Sequence, residues 1–169
     1  MYEKTTSKYL TSNQYVTTDT MLQDCRGIRL FNGQLPNANV TVFKKDDILL
    51  SNIRPYLKKI WLAEFDGACS NDVLVMRNKD TTKCSTEFLI NLLKRQAFFD
   101  FVMQDVNGAK MPRGKKNHIM DYKVYIPDIK VQKTMLRQVE AMEGEIAACQ
   151  TRLNELYSKT SEIVKSYLM

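Results

Sequence analysis

Apolar residues come in short runs through the first half of the chain and at helical spacing through the second. Val40-Thr41-Val42-Phe43 reads as a strand and Lys44 to Asp47 as a polar turn. Ile48-Leu49-Leu50-Ser51, Lys59-Ile60-Trp61-Leu62-Ala63 and Val73-Leu74-Val75-Met76 read as further strands, separated by turn residues such as Asp66-Gly67 and Ser70-Asn71-Asp72. Runs of this length, bounded by polar or glycine-containing stretches and rich in β-branched residues, predict buried strands. From Ser85 to Gln104 the period changes. Phe88, Leu89, Leu92, Leu93, Phe99, Val102 and Met103 recur at helical spacing, Ser85 or Thr86 supplies an N-cap, and Glu87 sits in the first turn. Val124-Tyr125-Ile126 predicts a last strand that ends at Pro127.

Beyond Pro127 the only helix breaker is Gly144. Met135, Val139, Met142, Ile146, Cys149, Leu153, Leu156, Thr160, Ile163 and Tyr167 alternate spacings of four and three, and all but Thr160 are apolar. A stripe of that width, sustained over several heptads, is a coiled-coil seam. Some forty helical residues extend roughly 60 Å, longer than a small domain can cover, so the seam predicts a second long helix as partner. The alternative is a terminal helix folded back on its own domain. Gly144 weighs against the helix by about 1 kcal/mol relative to alanine. The predicted fold class is therefore α+β, with a mixed globular domain of short strands and a few helices over residues 1–127 and one long coiled-coil helix, suited to dimerisation, over 128–169.

Charge follows the same division. Residues 1–127 hold 19 Lys and Arg against 13 Asp and Glu, while 128–169 hold six of each, so the whole net charge of +6 lies on the first domain. The densest basic stretch is Gly108-Ala109-Lys110-Met111-Pro112-Arg113-Gly114-Lys115-Lys116-Asn117-His118, which carries four cations and no carboxylate. Its Gly and Pro residues oppose regular helix and predict a shaped basic loop suited to phosphates. A solvated surface turn is the plain alternative. Ser51, Asn52, Arg54, Tyr56 and Lys58 form a second polar cluster leaving a predicted strand, where Arg54-Pro55-Tyr56 also has the makings of a simple turn. Trp61, Phe65, Phe98, Phe99 and Phe101 are assigned to the core, and Asn71 and Asp72 to a turn.

Catalytic signals are absent. His118 is the only histidine, which excludes a histidine-clustered metal site and disfavours a Ser-His-Asp arrangement. No glycine-rich phosphate cradle follows a strand. Ser51 to Tyr56 superficially resembles the Asn-Pro-Pro-Tyr motif of amino-methyltransferases, at the wrong spacing and without a cofactor-binding glycine motif. Cys25, Cys69, Cys84 and Cys149 lack any CxxC pairing, which argues against zinc and a disulfide framework and suits a reducing cytoplasm. No run reaches membrane-span length, and Met1-Tyr2-Glu3-Lys4 is unlike a signal peptide. The expectation is a cytoplasmic chain with neither catalytic centre nor cofactor nor metal.

Read together, the segments resemble a known family. Asp47 to Ala63, containing Ser51-Asn52-Ile53-Arg54-Pro55-Tyr56-Leu57-Lys58, is similar to the central block of a target recognition domain from type I restriction–modification specificity subunits. Gly67 to Val75 resembles the block that follows it, and Lys110-Met111-Pro112-Arg113-Gly114 that family's recurring basic loop. Ile126-Pro127, Gln132-Lys133 and the long helix resemble its passage into a spacer helix, and Tyr15 to Leu22 is similar as well. The resemblance covers roughly residues 14 to 169. A full subunit has two recognition domains and two spacer helices, so this chain looks like half of one.

The resemblance implies sequence-specific binding of double-stranded DNA by a non-catalytic subunit. Separate methyltransferase subunits modify adenine, and a motor–nuclease subunit cuts. Lys110, Arg113, Lys115 and Lys116 are then phosphate-contact candidates, with Arg113 also able to read guanine. Gly114 would let the backbone approach the DNA, and Ser51, Asn52, Arg54, Tyr56 and Lys58 are further contact candidates. The seam residues Met135, Val139, Met142, Ile146, Cys149, Leu153, Leu156, Ile163 and Tyr167 would join a homodimer or a second half-subunit. Two rival functions remain: a coiled-coil interaction module with an incidental basic surface, and an RNA-binding or nuclease accessory domain.

Overall fold

One strand, Ile48–Ser51, is buried along its whole length and organises the first part of the molecule. The computed structural model describes residues 4–6, 10–108 and 110–168, so the readings at Met1 to Glu3 and at Ala109 lie outside the described residues. The chain divides into two compact units, Met1–Pro127 and Asp128–Met169.

In the first unit the strands are β1 (Lys4–Thr6), β2 (Tyr15–Val16), β3 (Asn39–Phe43), β4 (Ile48–Ser51), β5 (Ile60–Leu62), β6 (Gly67–Cys69), β7 (Val73–Met76), β8 (Val106–Asn107) and β9 (Arg113–Gly114). Its α-helices among the described residues are α1 (Thr86–Leu93), α2 (Gln96–Met103) and α3 (Lys116–Met120). One sheet has the order β1-β3-β6-β2, a second β5-β4-β7, and β8 and β9 form a hairpin. β2 runs parallel to β6, whereas the other pairs are antiparallel.

The two-residue period of β4 feeds two cores. Leu49 lies opposite Trp61 and Val75 and joins Val16, Met21, Phe43 and Cys69 in one cluster. Ile48 and Leu50 point the other way, with Ile60, and meet Ile90, Leu93, Phe98, Phe99, Val102 and Ile119 from α1, α2 and α3. Each such fully buried aliphatic contributes about 1.5–3 kcal/mol. A central strand covered on both faces is therefore marked by a continuous apolar run and not by alternation.

Some elements depart from the sequence reading. The helix expected over Ser85–Gln104 is two helices, broken where Arg95 takes an extended conformation with φ −69° and ψ 145°. Ser85 is the N-cap of the first, accepting from the Phe88 N–H at 3.1 Å. Val124–Ile126 is not a strand, because no segment among the described residues offers it a ladder. The basic stretch is not a loop throughout, since Arg113–Gly114 is a strand and Lys116 to His118 begin α3.

The second unit is the helix α4, Ile129–Leu168, forty residues long. It runs through Gly144, where an added Cβ would meet nothing within 4 Å. No helix among the described residues is long and apolar enough to cross a membrane.

Candidate nucleic-acid interface

The two polar clusters singled out in the sequence meet in space. After β4 the chain turns, and its backbone is tied in both directions. The Asn52 N–H donates to the Asp72 carbonyl at 2.8 Å, and the Asn52 carbonyl accepts from the Gly114 N–H at 3.2 Å. The Arg54 N–H donates to the Pro112 carbonyl at 2.7 Å, and Ile53 pairs with Arg113 as an isolated antiparallel bridge. Three segments remote in sequence (Asn52–Arg54, Asn71–Asp72 and Pro112–Gly114) therefore form one backbone-bonded patch.

The adjoining turn is held in a costly conformation. Arg54 (φ 50°, ψ 63°) and Lys58 (φ 50°, ψ 47°) are both left-handed and flank a single 3-10 turn at Pro55–Leu57. Non-glycine residues pay about 1–2 kcal/mol each for that region. Proline pre-sets the first helical position. The Leu57 and Lys58 carbonyls accept from the Asp24 and Cys25 N–H groups at 3.1 and 2.9 Å, which fixes the far side of the turn.

Side chains divide by exposure. Lys110, Arg113, Lys115 and Lys116 are exposed, as are Arg54 and Tyr56, while Asn52 and Lys58 are half-buried. Ser51 is buried and its hydroxyl donates to the Ile53 carbonyl at 3.1 Å, so its position favours shaping the turn over touching a ligand. Gly114 is buried too. A Cβ there would lie 2.9 Å from Ile119 Cδ1 and 3.0 Å from Val102 Cγ1, so the close approach that glycine permits is to the protein's own interior. Asn52 Oδ1 is buried without a hydrogen-bond partner beside that glycine.

The cations carry carboxylate neighbours that the sequence reading missed. Arg113 Nη2 lies 3.3 Å from Asp72 Oδ1, and Lys115 Nζ 2.5 Å from Asp105 Oδ1. All four side chains are about half exposed, and exposed pairs contribute only about 0–1 kcal/mol. Asp72 and Asp105 thus orient the two cations without committing them. Neither pairing has a local signal, since Asp72 comes from the turn before β7 and Asp105 from the entry to β8. His118 has a structural explanation: it stacks on Phe101 with ring centroids 4.1 Å apart, and its Nε2 donates to the Phe101 carbonyl at 2.7 Å.

On α4 the seam residues Met142, Ile146, Leu153, Leu156, Ile163 and Tyr167 are 43% to 86% exposed, Cys149 is exposed, and Met135 and Val139 are partly so. A forty-residue helix with its apolar stripe facing solvent is unlike a finished surface. Among the described residues, no group of three or more His, Cys, Asp or Glu is arranged to hold a metal ion.

Comparison with known proteins finds relatives in sequence and in fold. The chain is 25% identical over 126 residues to the specificity subunit of the type I restriction enzyme EcoDI from Escherichia coli, a match covering 75% of this chain and 28% of that protein. The fold is shared with the HsdS subunit from Thermoanaerobacter tengcongensis, with TM-score 0.66 and 22% identity over 89% of this chain and 40% of that one. It is shared also with a chain from a structure of complex assembly and conformational transition in the type I R-M system, with TM-score 0.68 and 21% identity at the same coverage. The chain spans less than a third of the curated relative and two fifths of each solved chain. Residues 2–158 match the family described as type I restriction modification DNA specificity domain, and the chain belongs to that family.

Proposed function

We propose that this chain is one reading half of a type I specificity subunit. Residues 1–127 act as the target recognition domain that binds duplex DNA by sequence. The helix over 128–169 pairs with a second such helix and sets the distance between two recognition domains. It has no catalytic centre of its own: it directs adenine methylation by methyltransferase subunits and cleavage by a motor–nuclease subunit.

The observation that carries this reading is the patch joining Asn52–Arg54 to Pro112–Gly114, with Arg54, Tyr56, Lys110, Arg113, Lys115 and Lys116 exposed around it. Phosphate contacts from lysines give affinity and register without sequence information, and an arginine able to donate two parallel N–H groups supplies base reading. Backbone ties on both sides of the turn hold those donors in place before DNA arrives, which lowers the ordering cost of binding. Ser51, Asn52 and Gly114 act beneath this surface, as its supports.

Family membership leaves the interaction-module alternative without support. The exposed seam supports pairing either in a homodimer or with a second half-subunit. Antiparallel pairing of two copies creates a two-fold axis, so a homodimer reads a split palindrome. The helix length of roughly 60 Å corresponds to fewer than about 20 base pairs, room for two short half-sites and an unread gap.

The test is selection of the purified chain against a randomised duplex pool at physiological salt. Two inverted half-sites at a fixed spacing are expected. A single ungapped half-site would reject helix-mediated pairing, and no enrichment even with the modification subunits would reject DNA reading.

A further inference from the structure

Arg113 and Lys115 are both paired with carboxylates, yet the two pairs are built differently. Lys115 and Asp105 flank the ends of the β8–β9 hairpin, and the Lys115 N–H also donates to the Asp105 carbonyl at 3.3 Å, so that pair pins two neighbouring strand ends. Asp72 reaches Arg113 from another part of the chain. Its carbonyl accepts from Asn52, whose own carbonyl accepts from Gly114, the residue after Arg113. Asn52 therefore fixes the spacing of the Asp72 and Arg113 backbones. The alternation of β9, Arg113 exposed and Gly114 buried, turns the Arg113 side chain outward.

Toward a phosphate the Asp72 carboxylate gives Arg113 no help, because it faces the same anion, as Asp105 does beside Lys115. Against a base edge the same pair is well matched. In the major groove, guanine offers two acceptors and its paired cytosine a single amino donor beside them. A guanidinium has five N–H donors, so the contact through Nη2 leaves enough for a two-pronged contact with guanine. A carboxylate accepts only, which suits the cytosine amino group and repels the carbonyl oxygens of guanine and thymine.

We propose that Asp72 is a specificity-determining residue that acts with Arg113 as one reader of a G·C base pair. Arg113 donates to guanine O6 and N7, and Asp72 accepts from the cytosine amino group while holding the guanidinium in plane. The inference rests on the DNA-reading function proposed above.

The experiment compares wild type with the Asp72→Asn, Arg113→Ala and double variants. Each is selected against the same randomised duplex pool and then measured on single-base variants of the selected site. Asp72→Asn removes the charge while keeping the backbone bond to Asn52. It is expected to lower discrimination at one G·C position, the one Arg113→Ala abolishes, by roughly fivefold to a hundredfold. Discrimination elsewhere and the salt slope stay unchanged, and the double variant is no worse at that position than Arg113→Ala. Arg113→Lys, which leaves Asp72 in place and keeps the charge, loses the same guanine preference and covers the case in which the Asp72 variant fails to fold. A wild-type motif retained in full by Asp72→Asn, or by Arg113→Lys, overturns the pairing proposal alone. An even loss at all positions shows a merely structural role and also overturns it. Failure of the wild-type chain to enrich any motif, with or without modification subunits, overturns the DNA-reading function and this inference together.

Discussion

Asp47 and Arg77 form a two-pronged ion pair, with Nε 2.7 Å from Oδ1 and Nη2 2.7 Å from Oδ2. Asp47 is 1% exposed and also accepts from the Lys44 N–H at 2.8 Å, whereas half of the Arg77 side chain is exposed. The pair ties the turn before β4 to the end of β7. Its two halves should not be equivalent. Arg77→Ala leaves the buried carboxylate with only the Lys44 N–H and should cost about 3 kcal/mol, the low end for a broken buried pair because Arg77 is half exposed. Asp47→Ala removes the buried charge itself and leaves an arginine that water can reach, so a loss of about 2 kcal/mol is expected. Urea unfolding of both variants checks the order, and an equal or reversed pair of midpoints would reject it.

The glycines give a graded test of packing. At Gly67 a Cβ would run into the Gln14 carbonyl oxygen and lie 2.7 Å from Phe43 Cζ, inside a sheet that cannot shift. At Gly114 the obstacles are the side-chain ends of Ile119 and Val102, which have some freedom to turn. Gly67→Ala should therefore destabilise more than Gly114→Ala, for which about 1–3 kcal/mol is expected. Gly144→Ala should instead stabilise α4 by about 1 kcal/mol, since nothing stands within 4 Å of its Cβ. Thermal unfolding followed by circular dichroism reads all three.

The strands that the sequence revealed show as runs rich in apolar and β-branched residues. β4 is buried throughout, while β3 and β7 each bury two side chains and half-bury two more. β2 and β6 escape notice because they are two and three residues long and β6 begins at Gly67, which reads as a turn. The break between α1 and α2 is hidden because Leu93 and Phe98 are both buried on either side of it, so the apolar period runs on while the backbone does not. At the candidate interface the cations are legible as a cluster. Their carboxylate partners are not, because Asp72 reaches Arg113 only through tertiary pairing at Asn52.

Thiol chemistry should separate the cysteines. All four are free. Burial, with the Asp47 charge nearby, pushes the Cys69 thiol up to about 12, and burial raises Cys25 and Cys84 as well. A raised pKa keeps the thiol protonated and unreactive at neutral and mildly alkaline pH. Cys149 is exposed on α4. Reaction with an aromatic disulfide at pH 8 should show one fast thiol, absent in Cys149→Ser, and Cys69 should react only on unfolding. A fast thiol that remains in the Cys149→Ser variant would contradict the shielding of half-buried Cys25 and buried Cys69 and Cys84.

The seam of α4 gives a test by mass. Ile146 and Leu153 are 66% and 43% exposed near the middle of the helix. On the proposed homodimer the wild-type chain should sediment as a pair and Ile146→Lys with Leu153→Lys as a folded monomer, since lysines facing one another in a core position repel and are hard to solvate. An unchanged mass in sedimentation equilibrium would remove this seam from the pairing.

Lys115 and Lys116 are adjacent exposed cations, and their part in DNA binding should appear in its salt dependence. Replacing either by alanine is expected to weaken binding to all duplex sequences alike. The slope of log affinity against log salt should fall by about 0.9 for each phosphate that is no longer neutralised. Lys115→Ala has a second consequence. Its partner Asp105, with 41% of its side chain exposed, becomes an uncompensated negative charge beside the DNA. At low salt Lys115→Ala should therefore cost more affinity than the removal of one phosphate-binding cation by itself. Asp105→Asn in the Lys115→Ala background should recover that excess without restoring the slope. Screening removes the excess as ionic strength rises, because the Debye length shortens to about 8 Å near physiological salt. The Lys115→Ala variants with and without Asp105→Asn should then converge. An unchanged slope in the double Lys115→Ala and Lys116→Ala variant would take this segment out of the interface.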